Sequence, residues 1–322
     1  MLDEINEKSR VRLALKAAQL YYLQDLTMDA IGDELKVSRS SVSRLLQMAK
    51  DRGIVEFKIH SPEDAPRRMA TEIKKRFGVN AHLVPVAESA SPIDRLDRVA
   101  LTAARMLTNF FFSGMTLGVA WGSTTAAVSR NLAPRPLRDS TVVQLNGAGN
   151  TFTTGVIYSG EILRRFGEAY GATVEQFPVP AFFDDPSAKE TLWRERSTKR
   201  ILDIQSSMDV ALFGLGASNS EIPSQVYTAG YLSPDDQKSL DEGGIVGDIA
   251  TVFYRADGST DGIALNNRST GPSLDVIRAV PRKICVIAGP SRLPSLKGAL
   301  AGKYISDLII DDGTAAALLE EN

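Results

Sequence analysis

The sequence predicts an α/β fold with a parallel sheet, preceded by a small helical module. Two observations support this prediction: short apolar runs alternate with helical stretches beyond residue 66, and the charged, Pro-containing segment SPEDAP separates them from the preceding residues. Apolar strands separated by helices are typical of a parallel sheet covered on both faces. We therefore expect domains at 1–60 and 67–322, joined by a linker at 61–66. The predicted strands lie near Leu83 and at 116–121, 141–145, 209–216, 283–289 and 305–310, and the helices between them at 94–111, 156–170, 188–204 and 294–300.

Residues 27–53 predict two short helices joined by a tight turn. Thr27 and Ser38 are suited to cap the two helix starts, and apolar residues recur at helical spacing after each of them. Lys36 falls in the turn, where a left-handed backbone costs a residue other than glycine roughly 1 kcal/mol. Gly53 is expected to follow the end of the second helix.

The second helix carries a polar and cationic face opposite its apolar stripe. Residues 36–58 hold six basic and two acidic residues, a balance of +4 in a chain of formal net charge −2. A long helix over 2–23 should precede the pair, and an alternating strand at 54–59 should follow it as a wing. This pattern favours a DNA-binding helix-turn-helix over the alternative, a two-helix corner of some other fold. The residues expected at DNA are Thr27, Ser38, Arg39, Ser40, Ser43, Arg44 and Gln47.

The composition narrows the class of protein. The chain has 322 residues, 43% of them hydrophobic and 24% charged, which is typical of a soluble globular protein. No apolar run reaches 18 residues and the first residues are charged, so we expect neither a membrane span nor a signal peptide, and a cytoplasmic location. Cys285 lies in an apolar run and should be a buried strand residue. Neither His60 nor His82 has metal-ligand spacing, so no metal site or cofactor is predicted.

Three predicted strands lead into loops of small and polar residues. These loops are the GSTT segment at 122–125, NGAGN at 146–150 and GLGASNS at 214–220. Ligands of parallel sheets bind beyond the carboxyl ends of the strands, and a helix start offers unpaired N–H groups to a phosphate or a hydroxyl. A single Gly-Ser-Thr sequence before a helix is often only a cap. Three such loops together predict one shared crevice.

Taken as an ordered set, these motifs make the chain resemble the SorC family of bacterial transcriptional regulators, a group that includes the central glycolytic gene regulator and the Lsr repressor. The resemblance runs from residues 28–59 through the GSTT and NGAGN loops to GDI at 247–249, NNR at 266–268 and AGPSRLPSLKGAL at 288–300. It implies a winged helix-turn-helix joined to a sugar-binding domain with a fold similar to glucosamine-6-phosphate deaminase and ribose-5-phosphate isomerase. It also implies that a sugar, often phosphorylated, alters operator affinity, and that the protein is a homo-dimer or homo-tetramer.

The resemblance also implies which residues would bind the effector. Asp248 would accept hydrogen bonds from sugar hydroxyls, with a turn residue as its alternative role. Lys297 would be the cation near an anionic group, although the chain departs here from the family's AGGxxK pattern. Arg268 is a lesser candidate, with a surface ion pair as the alternative. The full implied set is Gly122, Ser123, Thr124, Thr125, Asn146, Gly147, Gly149, Asp248, Arg268 and Lys297.

We therefore expect a regulator of carbohydrate metabolism that binds double-stranded DNA and is controlled by a sugar effector. A two-fold dimer would bind a palindromic operator. The alternative is a phosphosugar isomerase or deaminase with an added DNA-binding module. Catalysis of that kind needs a general acid and base poised near neutral pH, and neither histidine falls in a candidate loop, so we do not expect an enzyme.

Overall fold

The computed structural model describes residues 2–22, 24, 26–55 and 64–320; for residues 2–9 and 64 it describes the backbone. The chain divides into two compact units, Met1–Pro62 and Glu63–Asn322. The helix α4 begins at Asp64, so the last three residues of the predicted linker are helical. Pro66 fits there because proline is tolerated in the first turn of a helix, where its missing N–H has no partner to lose.

The first unit consists, in its described part, of helices α1 (Leu2–Tyr22), α2 (Met28–Leu35) and α3 (Arg39–Asp51). All three were predicted from the recurrence of apolar residues. Their apolar stripes meet in a small core, because each helix can bury its stripe only against the other two. The buried members are Ala14, Ala17, Ala18, Leu20, Ile31, Val42, Leu45, Leu46 and Ala49.

The turn between α2 and α3 has the predicted chemistry. The Thr27 hydroxyl accepts a hydrogen bond from the Ala30 N–H at 3.3 Å, and the Ser38 hydroxyl accepts one from the Ser41 N–H at 3.2 Å. Lys36 adopts the left-handed conformation, with φ 52° and ψ 45°. Each helix start is thus capped by the residue that the sequence indicated.

The predicted wing lies mostly outside the described residues. Of the strand expected at 54–59, the structure describes Ile54 and Val55. Both donate their N–H groups to the Ala49 carbonyl, at 2.8 and 3.2 Å, and so close the end of α3. Gly53 precedes them with φ +67°, which is the left-handed residue predicted after this helix.

The second unit is built on a seven-stranded sheet, parallel throughout, in the order β1-β9-β8-β5-β2-β3-β4. A separate antiparallel hairpin consists of β6 and β7. All six predicted strands of the sheet are present, while the short polar edge strand β4 was not predicted. The strands are β1 (Asn80–Val84), β2 (Thr116–Val119), β3 (Thr141–Gln144), β4 (Thr173–Glu175), β5 (Val210–Phe213), β6 (Ile245–Ile249), β7 (Val252–Arg255), β8 (Arg282–Ile287) and β9 (Asp307–Asp311).

Helices cover both faces of the sheet. The single helix predicted at 188–204 is two helices, because Glu195 between them has an extended backbone (φ −67°, ψ 136°). Trp193 is the last residue of the first of these two helices, and its ring packs against Phe177 and Phe183. This packing holds the chain at the break between the helices. The helices of this unit are α4 (Asp64–Phe77), α5 (Pro92–Leu107), α6 (Ser123–Arg130), α7 (Val156–Tyr170), α8 (Pro186–Trp193), α9 (Arg196–Ser206), α10 (Gln225–Thr228), α11 (Pro234–Glu242), α12 (Leu274–Ala279), α13 (Leu293–Ala301) and α14 (Asp312–Glu320).

The core lies in two layers, one on each face of the sheet. Alternate residues of β5 belong to different layers: Val210 and Leu212 pack into one, Ala211 and Phe213 into the other. This alternation follows from the two-residue period of a strand. Cys285 on β8 is fully buried, as predicted, and burial raises the pKa of its thiol. Among the described helices, none has the length and apolar character needed to cross a membrane.

Candidate functional site

A cavity opens at the carboxyl ends of β2 and β5. The chain leaves β2 toward one edge of the sheet and continues from β5 toward the other, so the strand order reverses between these neighbours. Ligands of open α/β sheets bind at such a reversal. Its lining residues are Ala120, Trp121, Gly122, Ser123, Thr124, Thr125, Asn146, Gly214, Leu215, Gly216, Ser224, Gln225, Val226, Asp248, Ala250, Thr251 and Arg292.

The GSTT segment forms the wall of the cavity that follows β2. Gly122 precedes α6 with φ +153°, which L side chains rarely adopt, and a Cβ there would point into open space. Thr124 and Thr125 are buried in the first turn of α6, where the backbone N–H groups of a helix lack intrahelical partners. A Cβ at Gly214 would lie 2.9 Å from the Thr124 hydroxyl oxygen, so glycine allows the loop after β5 to approach α6.

Two buried acceptor oxygens in this cavity have no hydrogen-bond partner among the described residues. They are Oδ1 of Asn146 and Oδ1 of Asp248, whose residues are 1% and 4% exposed. The other carboxylate oxygen, Oδ2 of Asp248, accepts the Thr251 N–H at 3.1 Å. A buried polar atom without a partner costs about 1–3 kcal/mol, and such atoms are rare in folded proteins. Hydroxyl groups of a ligand are donors of the kind that both oxygens lack.

Asp248 lies at the end of a strand and not in a turn. It is the fourth residue of β6, and the turn to β7 comes at Ala250 and Thr251, which have φ 47° and 69°. The carboxylate nevertheless holds this turn, because its Oδ2 accepts the Thr251 N–H, so the alternative role of Asp248 in a turn is partly present. Burial raises the pKa of this carboxyl to about 6, while the Thr251 N–H, the Arg292 charge and the Tyr227 hydroxyl act in the opposite direction.

Arg292 is a lining residue that the sequence reasoning missed. It is 7% exposed and ends a short 3₁₀ turn, Pro290–Arg292, after β8. Its guanidinium donates to the Leu215 carbonyl and, at 2.7 Å, to the Ile222 carbonyl. Burial lowers its pKa, and the charge of Asp248 opposes that effect. The signal was present in the AGPSR sequence, but the resemblance directed attention to Lys297.

A second candidate surface lies on the first unit, at the turn and the outer face of α3. All seven residues predicted to contact DNA are exposed there: Thr27, Ser38, Arg39, Ser40, Ser43, Arg44 and Gln47. An accessible surface of short polar and cationic side chains at a helix start fits a major groove.

The side-chain contacts on this surface are weak ones. Arg39 approaches Asp29 at 3.7 Å, and both side chains are about 70% exposed, so the pair contributes little to stability. The Arg44 Nε donates to the Ser40 carbonyl at 3.3 Å. The Gln47 amide donates to the Asp51 carboxylate at 2.8 Å. These contacts hold the side chains near the surface without removing them from solvent.

Comparison with known proteins places the chain among transcriptional regulators. The sugar-binding domain family "Sugar-bind" matches residues 64–320. The deoxyribonucleoside regulator of Bacillus subtilis is 31% identical over 318 residues, which cover 98% of this chain and 99% of the relative. The chain belongs to the SorC family of sugar-binding transcriptional regulators. The sorbitol operon regulator of Klebsiella pneumoniae is 25% identical, in an alignment that covers 96% of this chain and 98% of that regulator.

Two solved structures have the same fold. One is the crystal structure of "a domain of a possible sugar-binding transcriptional regulator" from Arthrobacter aurescens, whose sequence is 49% identical to this one. The match covers 81% of this chain and 100% of that chain, with a TM-score of 0.76. The other is the crystal structure of the full-length sorbitol operon regulator SorC of Klebsiella pneumoniae, which is 24% identical in sequence. The match covers 96% of this chain and 99% of that chain, with a TM-score of 0.75.

The structure brings together six of the ten residues that the SorC resemblance implied. Gly147 lies behind the cavity, where its N–H donates to the Thr270 hydroxyl and its carbonyl accepts the Trp121 indole N–H. Gly149 and Arg268 line a separate cavity beside it. The six that share the main cavity are Gly122, Ser123, Thr124, Thr125, Asn146 and Asp248.

The two predicted cationic residues lie away from the main cavity. Arg268 forms an ion pair with Asp236, which is the alternative role that the sequence left open for it. Lys297 is half-buried on α13 and is not among the cavity's lining residues. The neighbouring Asn266 of the NNR motif holds β7, exchanging two hydrogen bonds with the Phe253 backbone.

Proposed function

We propose that this chain is a sequence-specific DNA-binding regulator of carbohydrate metabolism whose operator affinity is controlled by a sugar or phosphosugar. The supporting observation is the pair of unpartnered, buried oxygens of Asn146 and Asp248 in a cavity at the strand reversal. Sugars carry several hydroxyl donors on one small molecule, and that chemistry matches this pair. The regulatory role is supported by the SorC relatives, which are named as a deoxyribonucleoside regulator and a sorbitol operon regulator.

The effector binds, in this proposal, between the start of α6 and the hairpin β6–β7. Its hydroxyls donate to Asn146 and Asp248, while the N–H groups and hydroxyls of Ser123, Thr124 and Thr125 bind its oxygen atoms. Gly122 lets the effector approach the backbone. The placement follows the glucosamine-6-phosphate deaminase-like arrangement that the resemblance implied. Gly147, Gly149, Arg268 and Lys297 lie outside this contact set.

The first unit is proposed to be a winged helix-turn-helix with α3 as the recognition helix. Arg39 and Arg44 bind phosphates and base edges, and the short Ser40 and Ser43 side chains allow close approach. A homo-dimer or a tetramer of two dimers presents two such helices about 34 Å apart, or a multiple of that, to a palindromic operator. The protein acts in the cytoplasm, where bacterial DNA lies.

The effector controls DNA binding by favouring one arrangement of the subunits. Its influence on operator affinity cannot exceed the difference between its affinities for the two arrangements, typically about 1–3 kcal/mol. An effector therefore changes operator affinity by roughly 5- to 150-fold.

The proposal does not include catalysis. Asp248, with a pKa raised to about 6, is the lining residue that could act as a base. A sugar isomerase or deaminase also needs a partner that transfers a proton near neutral pH. Of the histidines, His60 lies outside the described residues, and His82 lies on β1 beside Asp307 at 3.5 Å. Turnover of a sugar phosphate by the full chain would overturn this part of the proposal.

Thermal shift with free and phosphorylated pentoses, hexoses and polyols tests the effector site. Deoxyribose and its phosphates belong in the panel because of the Bacillus subtilis relative's name. A ligand at 100 times its Kd stabilises the native protein by about 2.7 kcal/mol. The stabilising ligand should lose its effect in the double variant Thr124→Ala, Asp248→Ala, which should still bind the operator. If no panel member changes either stability or operator affinity, the proposed effector site is wrong.

Fluorescence anisotropy with DNA from the upstream region of the regulated genes tests the DNA surface. Arg39→Ala with Arg44→Ala should weaken operator binding at least tenfold, because both arginines are exposed on α3 and lie within reach of a groove. Effector affinity should remain unchanged. Arg164→Ala, another exposed arginine on α7, is the matched control and should bind DNA as the wild type does. Unchanged operator affinity in the double variant would show that α3 is misassigned.

A further inference from the structure

Two stacked rings separate the main cavity from the cavity beside it, which Gly149 and Arg268 line and which we call the second cavity. Trp121 lines the main cavity and Tyr231 lines the second one. Their ring centroids lie 5.0 Å apart, and their ring planes are inclined by 28°. Among the described residues, none lines both cavities. The Trp121–Tyr231 pair is therefore a wall between the two.

The loop after β3 runs along this wall and binds both of its rings. Asn146, at the start of the loop, lines the main cavity. The next two carbonyls each accept a hydrogen bond from one ring: Gly147 from the Trp121 indole N–H at 2.8 Å, and Ala148 from the Tyr231 hydroxyl at 3.0 Å. The rings and the loop thus hold one another in place.

A further segment, residues 179–180, also holds the loop. The Ala148 N–H donates to the Val179 carbonyl at 3.1 Å, and Gly149 forms an isolated β-bridge with Pro180. A Cβ at Gly147 would lie 2.3 Å from both carbonyl oxygens of this segment, so the two backbones are in close contact. A ligand can open the wall only by breaking several of these contacts, and a close-packed protein interior resists such a displacement.

The second cavity has a lining suited to an aromatic group. Phe152, Phe182 and Phe183 contribute rings to it, and the ion pair of Asp236 and Arg268 lines it as well. Aromatic groups favour stacked or edge-on contact with such rings. A sugar joined to a further ring would therefore find favourable contacts in both cavities, but the wall keeps its two parts from occupying them together.

We infer that the Trp121–Tyr231 wall limits the effector to one sugar, with or without a phosphate, and excludes sugars that carry a further ring, such as nucleosides and phenyl glycosides. This inference rests on the proposed function, since it names the class of ligand that the same site admits. Tyr231 should be the deciding residue, because its side chain separates Trp121 from the second cavity. Its removal should join the two cavities.

Isothermal titration of the full chain with pairs of probes that differ by the added ring tests this inference. The pairs are ribose and adenosine, ribose 5-phosphate and adenosine 5′-monophosphate, and glucose and phenyl β-glucoside. Wild type should bind the smaller probe of a pair about 10- to 100-fold more tightly than the larger one, the range expected when extra bulk is forced into a packed site. Tyr231→Ala should bind the larger probe at least about tenfold more tightly than wild type does, and the smaller probe within about threefold of wild type.

Tyr158→Ala is the matched control. Tyr158 also contacts Trp121 with its ring, at a centroid distance of 6.4 Å, but it lines neither cavity. This variant should exclude the larger probes as wild type does. Tyr231→Phe keeps the stacked ring without the hydroxyl and should exclude them too. If Tyr231→Ala does not fold, Tyr231→Leu replaces it, and its gain for the larger probes should be at least about threefold.

The outcomes distinguish this inference from the proposed function. Wild type that binds both probes of a pair equally, an exclusion that survives in Tyr231→Ala, or one that is lost in Tyr158→Ala or Tyr231→Phe would overturn the role of the wall and leave a sugar-responsive regulator. Equal loss of both probes in Tyr231→Ala would show that the ring only supports the fold, with the same consequence. Wild type that binds none of these probes and no other sugar would overturn both.

Discussion

Replacing Asp248 by asparagine should stabilise the protein above pH 6. Burial raises the pKa of this carboxyl from 3.8 to about 6. The folded protein therefore favours the neutral form, so the stability contributed by this group is fully present below pH 3.8 and is lost as the pH rises through 6. The loss is about 3 kcal/mol of unfolding free energy at pH 8 and about half of that at pH 5.

Asparagine removes this loss because it has the same shape without the charge. Its amide oxygen can still accept the Thr251 N–H, so the turn after β6 keeps its hydrogen bond. Asp248→Asn should thus be more stable than wild type at pH 8, by up to about 3 kcal/mol, or a rise in Tm of up to roughly 6–12 °C. Effector affinity should fall at the same time, because the charged acceptor is gone.

Asp311→Asn is the matched control. This carboxylate is fully buried, as Asp248 is, but it is fully partnered: Arg95 lies 2.7 Å away, and the Gly289 N–H and the Thr314 N–H and hydroxyl all donate to it. Removing its charge leaves the Arg95 guanidinium without its partner, so the variant should lose about 3–5 kcal/mol. The two substitutions are chemically identical and should have opposite signs.

Urea denaturation of the three proteins at pH 5 and pH 8 measures these differences. The gain from Asp248→Asn should shrink by about half between pH 8 and pH 5. A gain that is absent at pH 8, or that does not depend on pH, would refute the reasoning. In that case the Asp248 carboxyl would titrate as an ordinary one and would already be ionised at pH 5.

Three further predictions follow from single residues. Affinity of the wild type for a neutral sugar should fall about tenfold from pH 7 to pH 5 by calorimetry, as Asp248 takes up a proton. The same affinity should be insensitive to pH in Asp248→Asn, and a flat wild-type profile would contradict this. Gly216→Ala should abolish effector binding in a thermal-shift assay, because the new Cβ would overlap Oδ1 of Asp248. The operator affinity of the same variant, measured by fluorescence anisotropy, should be unchanged. Lys36→Gly should raise the stability of the first unit by up to about 1 kcal/mol in thermal unfolding, because Lys36 has a left-handed backbone (φ 52°) that glycine adopts without strain. If no gain is measured, contacts of the lysine side chain offset the backbone strain.

The first unit could be predicted closely because its signals are local. Thr27 and Ser38 each accept a hydrogen bond from an N–H three residues later, so a helix start is encoded within four residues of sequence. The left-handed turn at Lys36 follows from the short distance between the two helices. The break at Glu195 could not be found in this way. It depends on Trp193 packing against Phe177 and Phe183, which come from other parts of the chain.

Only the part of the candidate site that lies in loops after predicted strands could be predicted from the sequence. The loops after β2, β3 and β5 could be recognised because each follows an apolar strand, and a parallel sheet brings the carboxyl ends of its strands to one edge. The contribution of Asp248 depends on a hairpin outside the sheet. Gly216 pairs with it across an antiparallel bridge, with the Gly216 N–H 2.9 Å from the Asp248 carbonyl. The local sequence Gly-Asp-Ile cannot indicate a partner that lies about thirty residues away.

Arg292 shows why a pattern carried over from relatives can point to a residue that lies outside the cavity. The family pattern gives a distance along the chain, whereas a cavity requires a position in space. In this chain Pro290 starts a 3₁₀ turn before α13, and that turn points the fifth residue of AGPSR back toward Leu215 and the cavity. Lys297 then falls one turn and more along α13, beyond reach. A substitution that alters the turn, such as Pro290→Gly, should therefore weaken effector binding in a thermal-shift titration more than Lys297→Met does, although both leave Arg292 in the sequence.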